Sequence, residues 1–126
     1  PHTPATAAHS LPDAFPVLMA LSKTLSEAGY AVHEAHDRQD ALEKLSNCQV
    51  DMLVTDLNMP KMSGIDLIRH VRKMPGHRFM PIIMLTSESQ PDHVKAGKAA
   101  GASGWVTKPF NGASLLAVVK MVCPVV

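Results

Sequence analysis

Two hydrophobic rhythms alternate along the chain. Short apolar runs, "YAVHEA" (30–35), "VDMLVT" (50–55), "PIIMLT" (81–86) and "GWVT" (104–107), have the length and composition of strands. The middle two are apolar almost throughout, as strands covered on both faces are. Between them the spacing becomes helical. "DRQDALEKLSN" (37–47) starts on Asp37 with Asp40 three residues on, an acidic variant of a capping box. "SGIDLIRHVRKM" places Ser63 as a candidate N-cap and Ile65, Leu67, Ile68 and Val71 on an inner face, with Pro75-Gly76 as the stop. "QPDHVKAGKAAG" has Pro91 in its first turn and Gly101 at its end. "NGASLLAVVKMV" (111–122) is capped by Asn111 and closes before Pro124, and a further helix is predicted from Pro16 to Ala28, ended by Gly29.

Strict alternation of strand and helix predicts an α/β fold. Parallel strands need crossovers, and the helices are those crossovers, packed on both faces of the sheet. In such sheets ligands sit beyond the carboxyl ends of the strands, where the strand order reverses. Three polar residues fall on that edge: Asp56 after the first buried strand, Thr86 closing the second, and Lys108 after "GWVT".

Composition narrows the setting. With 126 residues, 46% of them hydrophobic and 18% charged, the chain is expected to be one domain with a real core. A formal charge of +1 gives no reason to expect nucleic acid or an anionic membrane as partner. No apolar stretch approaches membrane-spanning length and "PHTPATAAHS" lacks the features of an export signal, so a soluble, cytoplasmic protein is expected. Cys48 and Cys123 lack CxxC spacing and read as free thiols.

An acid, a hydroxyl and an ammonium at one edge suit phosphoryl chemistry. A carboxylate that attacks a phosphoryl group forms an acyl phosphate, and the obstacle is negative charge crowding on both partners. Lysine brings a compact positive charge and threonine a neutral hydrogen bond. Magnesium would complete the set, needing oxygen ligands in near-octahedral geometry. Asp56 would supply one, a carbonyl of the following turn another, and Asp13 is the candidate acid from the end of the first strand.

From about Leu21 to Val122 the sequence resembles a response-regulator receiver domain, most of all the CheY-like chemotaxis type. The resemblance is carried by "GYAVHEAHD", "DMLVTDLNMPKMSGIDLI", "PIIMLTSESQ", "GKAAGASGWVTKPF" and "LLAVVKMV". It implies a flavodoxin-like, doubly wound parallel sheet of five strands in the order 2-1-3-4-5 with five flanking helices. It further implies Asp56 as phosphoacceptor, Thr86 as the hydroxyl that turns toward the phosphoryl group, Lys108 as counter-charge, and Asp13, Asp56 and the Asn58 carbonyl as magnesium ligands. Trp105 stands where the family has an aromatic switch residue, and Lys108-Pro109 matches a step whose peptide bond is usually cis. The implied partners are a histidine kinase and a downstream signalling or flagellar motor protein. Such a domain is a signalling phosphoacceptor rather than an enzyme, catalysing at most its own phosphorylation and dephosphorylation.

The beginning departs from that pattern. A central strand should not read Ala-Thr-Ala-Ala-His-Ser-Leu, because little apolar area is gained and each buried polar group needs a partner. Residues 1–20 are therefore atypical, and the residues themselves do not support the first strand. Counting back from Gly29 in helical register makes Asp13 the second of the family's two adjacent acids, with Pro12 in place of the first. Anchoring on Pro16 makes it the first, with Ala14 in place of the second. The helical register is favoured because it sets Val17, Ala20, Leu21, Thr24 and Leu25 on one face. Either way a carboxylate is missing, so weaker magnesium binding and slower or absent phosphorylation are expected. Alternatively, residues 1–20 form neither strand nor helix, and the uncovered edges favour a homodimer.

Two further classes stand beside the phosphorylation switch. One is a pseudo-receiver, an interaction module with the fold and without the response. The other is an aspartate-nucleophile phosphatase, disfavoured because "DLN" puts Asn58 where a second Asp is wanted. A flavin carrier lacks its phosphate loop. His33 and His36 point to opposite faces of a strand and turn and do not make a metal pair. Lys95 and Lys98 read as a solvated helix face.

Overall fold

The computed structural model describes residues 4–9, 15–56, 63–87, 91–108 and 110–124. Five strands, β1 (Ala5–His9), β2 (Ala31–Ala35), β3 (Met52–Asp56), β4 (Ile82–Ser87) and β5 (Gly104–Lys108), form one sheet in the order β2-β1-β3-β4-β5, every pairing parallel. Helices α1 (Phe15–Glu27), α2 (Arg38–Asn47), α3 (Ser63–Lys73), α4 (Pro91–Ala100) and α5 (Gly112–Val122) make the crossovers. The α/β layering is what the alternation predicted, and the strand order is the flavodoxin-like doubly wound one that the resemblance implied.

The pleat divides the core in two. Ala7, Leu53, Ile82 and Met84 face α2 and α3 through Ala41, Leu45, Ile65, Ile68 and Val71. Met52, Val54, Ile83, Leu85 and Val106 face α1 and α5 through Leu21, Leu25, Leu115 and Val119. Because side chains alternate along a strand, this parity also fixes which side of the sheet each residue at the carboxyl edge serves.

The expectation for the first strand is overturned. "ATAAH" forms β1, buried at all five positions, with Ala5 opposite Ala31 on one side and Thr6 opposite Met52 on the other. Backbone ladders on both sides satisfy the amides whatever the side chains are. Asp51 ties down its start, its Oδ2 accepting from the Ala5 N–H at 2.9 Å and its own N–H donating to the Ala5 carbonyl at 2.7 Å. Each buried polar side chain finds a partner for one of its atoms: the Thr6 hydroxyl donates to the Ala7 carbonyl at 3.4 Å, and His9 Nδ1 lies 2.8 Å from Thr55 Oγ1. Small alanines give up apolar area but let the helices approach the sheet closely. With β1 in place, β2 and β3 are paired to it on either side.

The face expected for α1 is also corrected. Its buried residues are Leu18, Leu21 and Leu25, whereas Ala20 is exposed and Val17 and Thr24 are half-buried. Leu21 and Leu25 pack as expected and Val17 packs half-buried beside them, so the stripe that favoured one placement of Asp13 is shifted toward Leu18 and away from Ala20.

Elsewhere the local signals hold. Asp37 caps α2 by accepting from the Asp40 N–H at 2.7 Å, while Asp40 Oδ2 accepts from the His36 N–H at 3.1 Å. Asn111 caps α5 by accepting from the Ser114 N–H at 2.7 Å. Ser63 is the first residue of α3 rather than the residue before it. One tie has no counterpart in the sequence patterns. Arg72 on α3 donates through Nε and Nη2 to the Gly101 carbonyl at 3.0 and 2.7 Å, and through Nη1 to the carbonyls of His77 and Met80 at 3.1 and 2.6 Å. It pins the end of α4 to the approach to β4.

Candidate functional site

The crevice of this topology opens between β1 and β3, whose connections leave in opposite directions. β3 ends there on Asp56, which is 1% exposed. Asp56 shares its side of the sheet with Met52 and Val54, and Lys108 shares the same side with Val106 on β5. Lys108 reaches past the end of β4, and its Nζ donates to Asp56 Oδ1 at 2.8 Å. The pair is largely closed to water, with side-chain exposures of 15% and 2%. Thr86, 1% exposed, lies on β4 one residue beyond Leu85, the register partner of Asp56. Its side chain belongs to the opposite side of the sheet, that of Ile82 and Met84. The structure thus joins Asp56 to Lys108 and sets Thr86 at the same edge.

On the other flank of Asp56 stands a residue the sequence patterns did not single out. His9 ends β1, fully buried and in register with Thr55. Burial pushes its imidazole down from 6.5 to about 4, against the attraction of Asp56 foremost and of Asp37 and Asp40. The ring is neutral near pH 7. Its Nε2 has no hydrogen-bond partner among the described residues. A histidine closing a strand at the carboxyl edge is a recognisable signal, but only once that strand is accepted.

Trp105 pairs with Met84 across β4–β5 and is 42% exposed. Lys98 Nζ sits 3.9 Å from the centre of its ring, so this lysine covers an aromatic face rather than standing free in solvent. Trp105 lies two residues before Thr107, the partner of Thr86, on the same side of the sheet. Asp13, Asn58 and Pro109 lie outside the described residues.

Asp56 fits a hard oxygen-seeking cation such as magnesium, whereas the imidazole of His9 does not. Asp37 and Asp40 are engaged in capping α2. Among the described residues there is no group of three His, Cys, Asp or Glu side chains able to hold a metal. No helix of the described residues is long and apolar enough to cross a membrane.

A buried carboxylate at the switch point of a five-stranded doubly wound sheet, paired to a lysine from the fifth strand, defines an α/β domain built around a buried acid–lysine pair. Residues 12–120 match the response regulator receiver domain, and the chain belongs to that family. The matched segment begins after β1. The chain is 44% identical to the chemotaxis protein CheY of Pseudomonas aeruginosa over 78 residues, 62% of this chain and 63% of that protein. The match thus spans less than two thirds of that relative's length. The structure of the chemotaxis response regulator CheY4 of Vibrio cholerae superposes with a TM-score of 0.86 at 37% identity, covering 96% of this chain and 99% of that one. The receiver domain of a sensor histidine kinase from Pseudomonas aeruginosa PAO1, solved with magnesium coordinated in its active site cleft, has a TM-score of 0.82 at 21% identity, covering 96% and 98%, and shares the fold.

Proposed function

We propose that this receiver domain works in phosphorelay signalling by accepting a phosphoryl group on Asp56 from the phosphohistidine of a histidine kinase. The observation that carries the reading is the buried Lys108–Asp56 ion pair at the switch point. In the transfer an Asp56 carboxylate oxygen forms the new O–P bond as the N–P bond of the donor breaks, and the departing imidazole keeps the bonding pair and takes a proton. Lys108 holds the carboxylate in place beforehand and offsets the charge that develops on the phosphoryl oxygens. Thr86 supplies a hydroxyl to one of those oxygens. Asp56, with Asp13 and the Asn58 carbonyl, would hold magnesium, which would supply further positive charge to offset that of the phosphoryl oxygens. The domain is then a switch rather than an enzyme acting on an external substrate.

The response is read on the face made by α4, β5 and α5. Trp105, Val118, Met121 and Val122 border a groove there, and Met121 is 84% exposed. Movement of Thr86 toward the phosphoryl group alters the packing around Trp105 and with it the affinity of this face for a downstream signalling or flagellar motor protein. Such a change needs contacts that differ between the two states.

A second reading, a pseudo-receiver that binds partners without responding to phosphate, is favoured by one observation: β1 ends on a neutral imidazole, not an acid. Beryllofluoride with millimolar magnesium separates the two. The switch reading expects a change in the fluorescence of Trp105, the only tryptophan, that Asp56→Asn abolishes. An unchanged signal together with no bound beryllofluoride assigns the chain to the second reading.

A further inference from the structure

We propose that His9 is a hydrogen-bond donor to the anionic group carried by Asp56, so that β1 contributes directly to holding the phosphoryl group. The inference rests on Asp56 being the phosphoacceptor. His9 and Asp56 are the last residues of β1 and β3, the two strands that border the crevice. His9 stands beside Thr55, the residue before Asp56, and Thr86 stands one residue past the β4 partner of Asp56. Parity puts His9, with Ala7, and Thr86, with Met84, on the same side of the sheet. Asp56, with Met52 and Val54, belongs to the other side, so His9 and Thr86 border it from its two neighbouring strands only at the carboxyl edge, where the strands end.

The hydrogen bonds decide which proton His9 offers. The Thr55 hydroxyl is fully buried, and His9 Nδ1 at 2.8 Å is its partner among the described residues. A buried hydroxyl must place its proton on an acceptor, so Thr55 donates to Nδ1 and the ring proton resides on Nε2. Nε2–H is therefore a donor, without a partner among the described residues, on a ring attracted to Asp56 more strongly than to any other carboxylate. A buried unpaired donor in a native fold requires a reason. A phosphoryl oxygen on Asp56 supplies one. The same tautomer argues against a metal-ligand role, because a protonated nitrogen has no lone pair to give. Three strands then serve one anion: Lys108 from β5, Thr86 from β4 and His9 from β1.

The test uses the full chain, 15N-labelled, with beryllofluoride and magnesium. In the free protein the ring 15N pattern of His9 should be that of the Nε2–H tautomer. When 19F NMR shows beryllofluoride bound, the His9 Hε2 signal should shift and become protected from solvent exchange. His9→Leu, which fills the space without a donor, should weaken binding by about 10- to 100-fold, the range for one hydrogen bond to a charged acceptor. His9→Gln, whose amide donates from near the Nε2 position, should recover most of the loss. An Nδ1–H tautomer, an Hε2 signal that ignores bound beryllofluoride, or equal binding by His9→Leu overturns the proposal and leaves the phosphoacceptor reading standing. Failure of the wild-type protein to bind overturns both. If His9→Leu does not fold, the wild-type spectra alone decide.

Discussion

Lys108 Nζ lies 2.8 Å from Asp56 Oδ1, across the end of the strand that separates β3 from β5. Asp56 is nearly inaccessible and Lys108 only slightly open, so the carboxylate in particular has little water to fall back on. Removing the lysine alone leaves a buried carboxylate without that partner. Lys108→Met should lower unfolding stability by about 3 kcal/mol, the low end for breaking a buried pair because Lys108 keeps some solvent contact. Asp56→Asn in the same background should recover part of that loss. Urea denaturation of the two single variants and the double variant reads the coupling directly.

His9 makes stability depend on pH with a definite sign. Its folded value of about 4 lies below the ordinary 6.5, so the unfolded chain binds the proton more readily. The full contribution is present above pH 6.5 and is lost as pH falls toward 4, amounting to about 3 kcal/mol from this one group. Denaturation midpoints measured from pH 7.5 to 4.5 should decline, and His9→Gln should flatten that part of the slope.

Arg72 and Gly101 form a second junction that substitution can probe. Gly101 has φ +118°, a region that favours glycine, and a Cβ there would approach Arg72 Nε to 2.9 Å. Gly101→Ala therefore combines backbone strain with displacement of the guanidinium that serves three carbonyls. A loss of about 2 kcal/mol is expected, with a matching drop in thermal midpoint. Gly76 also has positive φ, at +83°, but open space around it, so Gly76→Ala should lose less.

What could be read from the sequence follows from where side chains decide the structure. β3 and β4 are apolar nearly throughout, and α2 and α5 carry capping residues that make the expected bonds. Asp56, Thr86 and Lys108 stood out because each closes an apolar run. β1 was missed because its place is set by backbone pairing to two neighbours, and three of its five side chains are alanines that leave little pattern. His9 was missed with it, since a histidine gains meaning at a strand end only when the strand is known. Arg72 was missed for another reason. A basic residue in the last turn of an amphipathic helix reads as solvated, and its targets become neighbours only after α4 and the approach to β4 have packed.

If β1 holds its place by backbone pairing and small size, enlarging it should harm the fold and removing its polarity should not. Ala7 has no exposed surface and packs among Ala35, Ala41, Leu45 and Leu53, where α2 comes down onto the sheet. Ala7→Leu must push that helix outward, and over-packing of this kind is expected to lose about 1–3 kcal/mol despite the added apolar area. Thr6→Val is the opposite case. The Thr6 hydroxyl makes one long bond of 3.4 Å to the adjacent Ala7 carbonyl, and valine has the same shape without the buried polar atom. Its unfolding stability should stay within about 1 kcal/mol of the parent. A stable Ala7→Leu beside a damaged Thr6→Val would mean that side-chain chemistry, not close approach, holds the central strand.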